Sequence, residues 1–452
     1  MEKVKTYITN ICRLLLALTL VFSGYVKAID PLGTQYKIQD YLEALALQGV
    51  VPDWVTLATS VSLSAFEFCM GVFLLFAIRR RLVSRLTLAF LFLMTLVTVW
   101  LVVANPVSDC GCFGDAVHLT NTQTLIKNIA LLVMSAVVAW WPLRMGRFVS
   151  SDNQWIVTNY TILFILLSCG WSLYRLPQFD FRPYHVGADI LKGMEIPPGA
   201  PQPEFTTTFI LRKNGVEKEF TLDNYPDSTW TFVDARTVQT KAGYVPPIHD
   251  FSISHDGDDI TQQVLTHRGY TFLLISPHLE QADDSNFGDI DQIYEYAQDE
   301  HVPFYCLTAS DTAAIRHWQD ITGAEYPFMT TDETTLRTII RSNPGLLLLK
   351  DGVVIHKWSH NALPDASDLT SPISRSPIGT MADDSVPRKI VLVLLWFVLP
   401  LFVLTVADRL WAWSSRLRRW RKWGKRLTKD RDEAVSGAEK DASRQATVSE
   451  NN

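Results

Sequence analysis

The sequence predicts an α-helical membrane bundle joined to an extracytoplasmic α/β domain, and three observations carry that reading. The chain has 452 residues, of which 48% are hydrophobic and 19% charged, and its apolar residues gather in long uninterrupted blocks. Blocks of roughly 18 or more such residues are long enough to cross a bilayer. Lys and Arg crowd into alternate connections between the blocks. The long stretch 175–387, between the fifth and sixth blocks, instead shows short β-like runs and then αβ alternation. Length alone would allow two or three soluble domains, but the apolar blocks exclude that for the first 174 residues.

Six spans follow in order, at 9–26, 54–78, 84–104, 123–141, 154–174 and 388–407. The first carries Arg13 and is preceded by Lys3 and Lys5, as a signal peptide would be. No small-x-small cleavage site follows, so residues 1–26 are expected to be retained. Arg79, Arg80, Arg81 and Arg85 lie between spans two and three, Arg144 and Arg147 between spans four and five, and a basic run from Arg409 to Arg431 follows span six. An excess of Lys and Arg marks the cytoplasmic side, and the three sets alternate consistently. Both termini are therefore expected inside, with loop 27–53, the loop after span three and 175–387 outside. For a bacterial inner membrane this outer face is periplasmic and oxidising.

The loop after span three reads Asn105-Pro106-Val107-Ser108-Asp109-Cys110-Gly111-Cys112-Phe113-Gly114-Asp115. A CxC pair either closes a small, strained disulfide or leaves each thiol to pair elsewhere, and both make the thiols more reactive than a relaxed bridge. The alternative is a tight loop whose cysteines carry no chemistry. Asn121-Thr122-Gln123-Thr124 offers a helix cap directly after the loop, so the positive end of span four would favour a thiolate. Asp109 and Asp115 oppose that, and the net shift stays open. Cys12, Cys69 and Cys169 fall within spans as small apolar fillers, and Cys306 in a buried strand-like run. Six cysteines in so long a chain do not make a disulfide scaffold.

Loop 27–53 carries Ile38, Tyr41, Leu42, Leu45 and Ala46 at helical spacing beside Lys37, Gln39, Asp40 and Glu43, as a short amphipathic helix on the outer membrane surface would. Glu67, two residues before Cys69 in span two, is a costly carboxylate in an apolar helix. It is read either as a structural hydrogen bond to another helix or as a proton acceptor near a thiol or a quinone, the one cofactor considered. No metal site is read from the sequence.

These residues support a comparison. Phe22-Ser23-Gly24-Tyr25-Val26-Lys27, the acidic second span and Cys110-Gly111-Cys112-Phe113-Gly114 resemble the DoxX-like membrane family and its MauE-like branch. The resemblance implies a four-helix core, with two further spans added here, and an association with disulfide formation or maturation of exported partners.

In the outer segment, Pro177 to Pro203 includes six prolines and reads as a linker or extended wrap. Thr206–Leu211 and Glu217–Leu222, joined at Asn214-Gly215, form a hairpin signal, and Trp230–Asp234 supplies a third strand. From about 248 the order is a strand at Phe251–Ile253, a helix at 260–266, a strand at Tyr270–Ser276, a helix at 287–299, a strand at Val302–Leu307, helices at 311–321 and 333–341, then a hairpin of Gly345–Lys350 and Val353–Trp358. That order makes a three-layer α/β domain. Ser342-Asn343-Pro344-Gly345 and Lys350-Asp351-Gly352-Val353-Val354 resemble the thioredoxin-like family, which places its cis-proline before this hairpin. Where an active member carries CxxC, this chain has Ser276-Pro277-His278-Leu279-Glu280, so the domain is expected to be redox-inactive. His278 is the titratable ring near that position, read mainly as a surface or capping residue. Pro344 exposes backbone in such folds, which suggests peptide binding by β-pairing.

The expected organisation is a four-helix membrane domain at 1–150, a fifth span at 151–174, a Pro-rich linker with a small β segment at 175–247, the thioredoxin-like domain at 248–365, a tether at 366–387, a sixth span at 388–407 and a basic, Trp-rich cytoplasmic tail at 408–452. The tail suits a membrane interface on anionic lipid better than nucleic acid. Two functions compete. One is redox assistance to exported partner proteins through Cys110 and Cys112. The other is a non-catalytic scaffold in an envelope assembly or export complex, with the α/β domain as a protein-binding module. A transporter is less favoured, since no inverted repeat is visible.

Overall fold

The structure, a computed structural model, describes residues 2–414 apart from Ser108, Pro203, Asn214, Leu222, Asp223, Tyr225, Asp227, Ser228 and Ala242. The chain divides into two compact units, one holding the residues up to Ser172 and those from Ser385 on, the other Leu173–Asp384. Among the described residues, six helices are long and apolar enough to span a membrane, all at the expected places. The basic, Trp-rich run beyond Ser414 and Asn214 of the expected hairpin turn lie outside the described residues.

The first unit begins with α1 (Glu2–Ile29) and α2 (Pro31–Ala44), followed by α3 (Asp53–Phe76), α4 (Arg80–Ala104), α5 (Asn121–Trp140) and α6 (Gln154–Tyr174). Small residues let α1 and α3 touch backbone to backbone. A Cβ on Gly24 would stand 2.4 Å from the Phe68 nitrogen, and one on Gly71 would stand 2.7 Å from the Val21 nitrogen. Helices inside a membrane associate through such packing, because lipid supplies no hydrophobic drive between them. Arg13 is not stranded in the first span. It donates to the Gly146 carbonyl at 2.6 Å and lies over the Phe148 ring, holding the α5–α6 connection. The amphipathic helix expected around Ile38 to Ala46 starts earlier, because Asp30 caps it by accepting from the Gly33 amide at 2.9 Å and Pro31 suits a first helical position.

The second unit opens with α7 (Ile190–Met194) and a three-stranded antiparallel sheet, β1 (Glu204–Lys213), β2 (Val216–Thr221) and β3 (Thr231–Lys241), in the order β2-β1-β3. The remaining elements are β4 (Ser254–His255), β5 (Asp258–Asp259), α8 (Thr261–Leu265), β6 (Tyr270–Ser276), α9 (Phe287–Asp299), β7 (Phe304–Thr308), α10 (Thr312–Thr322), β8 (Phe328–Thr330), α11 (Glu333–Ile339), β9 (Gly345–Lys350) and β10 (Val353–Ser359). They build a seven-stranded mixed sheet in the order β10-β9-β6-β7-β8-β4-β5. Strands β6, β7 and β8 run parallel, and β9 is antiparallel to β6. Phe272, Leu274, Leu346 and Leu348 pack with Ile290, Ile293 and Trp318 of α9 and α10. Leu273, Ile275, Leu347 and Leu349 pack with Val264, Leu265, Leu336 and Ile339 of α8 and α11 on the other face. Burial on both faces explains why β6 and β9 read as continuous apolar runs rather than alternating ones.

One expected strand is displaced. Phe251 and Ile253 are buried, but the Ile253 amide donates to the Thr261 hydroxyl at 2.7 Å, and strand pairing starts only at Ser254. The segment before α7 is pinned to β10 by buried charges. Asp180 lies 2.7 Å from the Lys357 ammonium and 2.8 Å from the Arg182 guanidinium. Burial lowers the Lys357 pKa to about 8 against the opposing pull of Asp180.

The chain returns to the first unit through α12 (Val386–Ser414), which contains a π-helical turn at Leu394–Val398. The Tyr160 hydroxyl donates to the Trp396 carbonyl inside that turn, and Phe397 packs at a tilt against Phe164 and Phe68, at 4.4 and 5.1 Å between ring centres. Asp408 accepts from the Ser150 amide at 2.8 Å and from Asn153 at 2.7 Å, locking α12 to the start of α6.

Gly24→Val, which forces a side chain into α3 backbone, is expected to cost about 3 kcal/mol, measured by unfolding of the purified protein in micelles. Gly170→Ala, whose methyl meets nothing within 4 Å, is expected to change stability by under about 1 kcal/mol. Lys357→Met, which leaves Asp180 with one fewer cation, is expected to cost about 3–5 kcal/mol and to speed amide exchange in β9 and β10.

Candidate functional site

The loop between α4 and α5 closes on itself at its base. Asn121 donates to the Asn105 side chain at 3.1 Å and to the Val107 carbonyl at 2.8 Å, and Asp109 bridges Thr120. Thr120 and Gln123 form a reciprocal capping box at the start of α5. Gly111 and Gly114 both have positive φ, at 61° and 52°, so the chain turns twice within five residues at little steric cost.

That turn seats the loop against three helices. The Ser23 hydroxyl of α1 donates to the Cys112 carbonyl at 2.6 Å, and Phe22 packs on Phe113 at 5.5 Å. The Tyr41 hydroxyl of α2 donates to the Cys110 carbonyl at 2.7 Å. Lys37, one turn before it, pairs with Asp109 at 2.8 Å. From α5, Lys127 lies 4.3 Å over the Phe113 ring. Helix α2 therefore spends its polar side on the loop and on α3, where Gln35 donates to the Asp53 carbonyl and to Thr56. Ser23 lies six residues before the end of α1, so the loop reaches about 9 Å down the helix, at 1.5 Å per residue.

All six cysteines are unbridged. The Cys110 and Cys112 sulfurs share a hydrogen bond at 2.6 Å, and Cys110 also lies 3.4 Å from the Thr124 hydroxyl in the first turn of α5. With Cys110 ionised, the Cys112 thiol donates to it. That bond, helped by Thr124 and the Lys127 charge and opposed by burial, lowers Cys110 to about 6. The same bond, together with burial, holds Cys112 well above the usual thiol range, while Lys127 and Lys27 pull the other way. Asp109, named as an opposing charge, is itself compensated: burial pushes its carboxyl up, but Lys37 and His118 outweigh that and keep it low.

Below the loop, Lys27 of α1 and Glu67 of α3 form a buried ion pair at 2.5 Å. The Lys27 charge acts on Cys112, and Lys27 in turn pairs with Glu67. Lys27, Tyr41, Lys37 and Lys127 were not singled out from the sequence. The usable signal was the spacing Ser23–Lys27, one helical turn, inside a motif already noted. Cys12, Cys69 and Cys169 sit in helices as packing residues, and Cys306 is fully buried in β7.

The other two candidates lie in the second unit. His278 follows β6, pairs with Glu333 at 2.9 Å, and offers its carbonyl to the Asn343 side chain at 2.8 Å. Ser276 donates to the Asn343 side-chain oxygen at 2.7 Å. The Asn343–Pro344 bond is cis. Pro344 itself is buried, and the Asn343 carbonyl accepts from the Asp283 amide at 3.0 Å. Among the described residues no group of three or more His, Cys, Asp or Glu is placed to hold a metal.

Helices of this length around a recessed polar loop, continued by a mixed α/β unit, define a multi-pass membrane protein. Residues 5–141, from α1 through α5, match the family model of methylamine utilisation protein MauE, so this part of the chain is a MauE-like helical region. Residues 205–242, which hold β1 to β3, match a domain of unknown function, DUF8463. No curated protein matches the chain.

Carbamidomethylation of the reduced protein is expected to label Cys110 with half-maximal rate near pH 6, falling as acid protonates the thiolate, while Cys112 stays unlabelled at neutral pH. Peptide mass spectrometry over a pH series reads both sites. Tyr41→Phe removes the bond to the Cys110 carbonyl and is expected to make Cys112 labelling detectable at pH 7, read by the same spectra.

Proposed function

We propose that this protein exchanges disulfides with exported partner proteins through Cys110 and Cys112, on the outer face of a bacterial inner membrane. One observation carries the reading: two unbridged sulfurs 2.6 Å apart in a loop seated on α1, α2 and α5. An attacking thiolate beside a protonated second thiol is the arrangement exchange requires. In the reducing direction the Cys110 thiolate attacks a partner disulfide, forming a mixed disulfide and releasing one partner thiolate. Cys112 then loses its proton and attacks the Cys110 sulfur, which releases the second partner thiolate. Two electrons pass to the partner and the CxC pair becomes a disulfide. The reverse sequence oxidises a partner dithiol. The alternation of basic loops supports an outward-facing loop and cytoplasmic termini.

The second unit is read as a thioredoxin-like domain without its thiol pair. Its strand order β10-β9-β6-β7-β8 and the cis bond before β9 support that reading. In this role it holds partners and leaves sulfur chemistry to the membrane loop.

The test is to trap the intermediate. Cys112→Ser, acid-quenched and blocked in its native membrane, is expected to accumulate mixed disulfides through Cys110 that Cys110→Ser lacks. Absence of such adducts, with full function retained by both variants in cells, would sink the exchange reading and leave the loop as a structural clasp on a scaffold.

A further inference from the structure

We propose that the buried Lys27–Glu67 pair accepts the proton that Cys112 must lose when it resolves a mixed disulfide. The inference rests on the exchange reading above and assigns that step a residue pair. Cys112 is seated on α1 by the Ser23 bond to its carbonyl, and Val26 packs beside Gly114. The loop therefore lies along the α1 face that carries residues 22, 23 and 26, and Lys27 follows Ser23 by one turn, the i,i+4 neighbour on that face. The Lys27 ammonium is 2.5 Å from the Glu67 carboxylate. Its charge also favours the Cys112 thiolate.

The structural alternative is a strut between α1 and α3. A buried ion pair is a poor strut, because an apolar pair of similar volume is often as stable, and the Gly24 and Gly71 contacts already join these helices. A carboxylate within a membrane helix points instead to use. Several neighbouring groups are already engaged. Lys37 and His118 pair with Asp109, the Tyr41 hydroxyl donates to the Cys110 carbonyl, Lys127 lies over the Phe113 ring, and Cys110 is bonded to the partner at that moment.

The step balances. The proton leaves the Cys112 sulfur and ends on the Glu67 carboxylate, passing across Lys27, which remains an ammonium. The Cys112 thiolate then bonds to the Cys110 sulfur, and the leaving sulfur takes the electron pair.

The experiment uses the full chain, reduced, in detergent micelles, with the aryl disulfide DTNB as probe. Attack by Cys110 releases a first coloured thiolate, and closure by Cys112 releases a second, with Cys110→Ser/Cys112→Ser setting the background. Glu67→Gln is expected to leave the first phase unchanged and to slow the second about 100-fold at pH 7, in the usual range for general-base catalysis. Its second phase should then rise about tenfold per pH unit, as solvent takes over deprotonation, where the wild type is nearly flat. Glu67→Asp, which keeps a carboxylate, should restore most of the rate. An unchanged second phase in Glu67→Gln, or a Glu67→Asp as slow as it, overturns the inference while leaving exchange intact. Loss of the first phase in the wild type defeats the exchange reading itself.

Discussion

An ammonium and a carboxylate held 2.5 Å apart inside apolar helices constrain everything around them. Either charge alone would cost several kcal/mol in such surroundings, so each calls for the other, and the Gly24 and Gly71 contacts that set the register of α1 and α3 bring them together. Gly24 and Gly71 make that register sterically possible, because their missing side chains admit the opposing backbone. With α1 so placed, Phe22 and Ser23 stand where the CxC loop descends, and the loop's depth in the bundle follows. Three lysines, Lys27, Lys37 and Lys127, stand around the loop, and two of them pair with Glu67 and Asp109.

The second unit answers to a different constraint. Its central strands are apolar on both faces, so helices must cover both, and α8 and α11 on one side and α9 and α10 on the other do so. Asp180, Arg182 and Lys357 then fasten the segment before α7 to β10 through groups that are almost wholly buried. The unit thereby owns its core and its entry segment, which suits a part that presents a surface rather than one that rearranges.

Much of this could be read in the residues, for reasons that are physical. A span needs only length and apolarity, so all six membrane-length helices were visible in composition. Strands β6 and β9 were visible because burial on both faces leaves an unbroken apolar run. The Phe251–Ile253 segment misled because its apolar pattern is that of a strand, while the Thr261 hydroxyl, eight residues beyond Ile253, captures the backbone amide a ladder would use. In the candidate site, Cys110, Cys112 and Glu67 stood out as chemically odd residues in apolar surroundings. Lys27, Tyr41 and Lys37 did not, since a lysine near a span end and a tyrosine on an amphipathic helix look like interface anchors. Which carbonyl or carboxylate each one reaches is decided by tertiary packing and leaves no local trace. The π-helical turn in α12 was equally silent.

The hydrogen bonds from Ser23 and Tyr41 end on the carbonyl oxygens of Cys112 and Cys110, not on their sulfurs. The frame that positions the thiols is therefore chemically blind to them. Bond making, bond breaking or ionisation at sulfur leaves both anchors with the same donor and the same acceptor. A change at sulfur therefore need not loosen the two carbonyl anchors that seat the loop on α1 and α2.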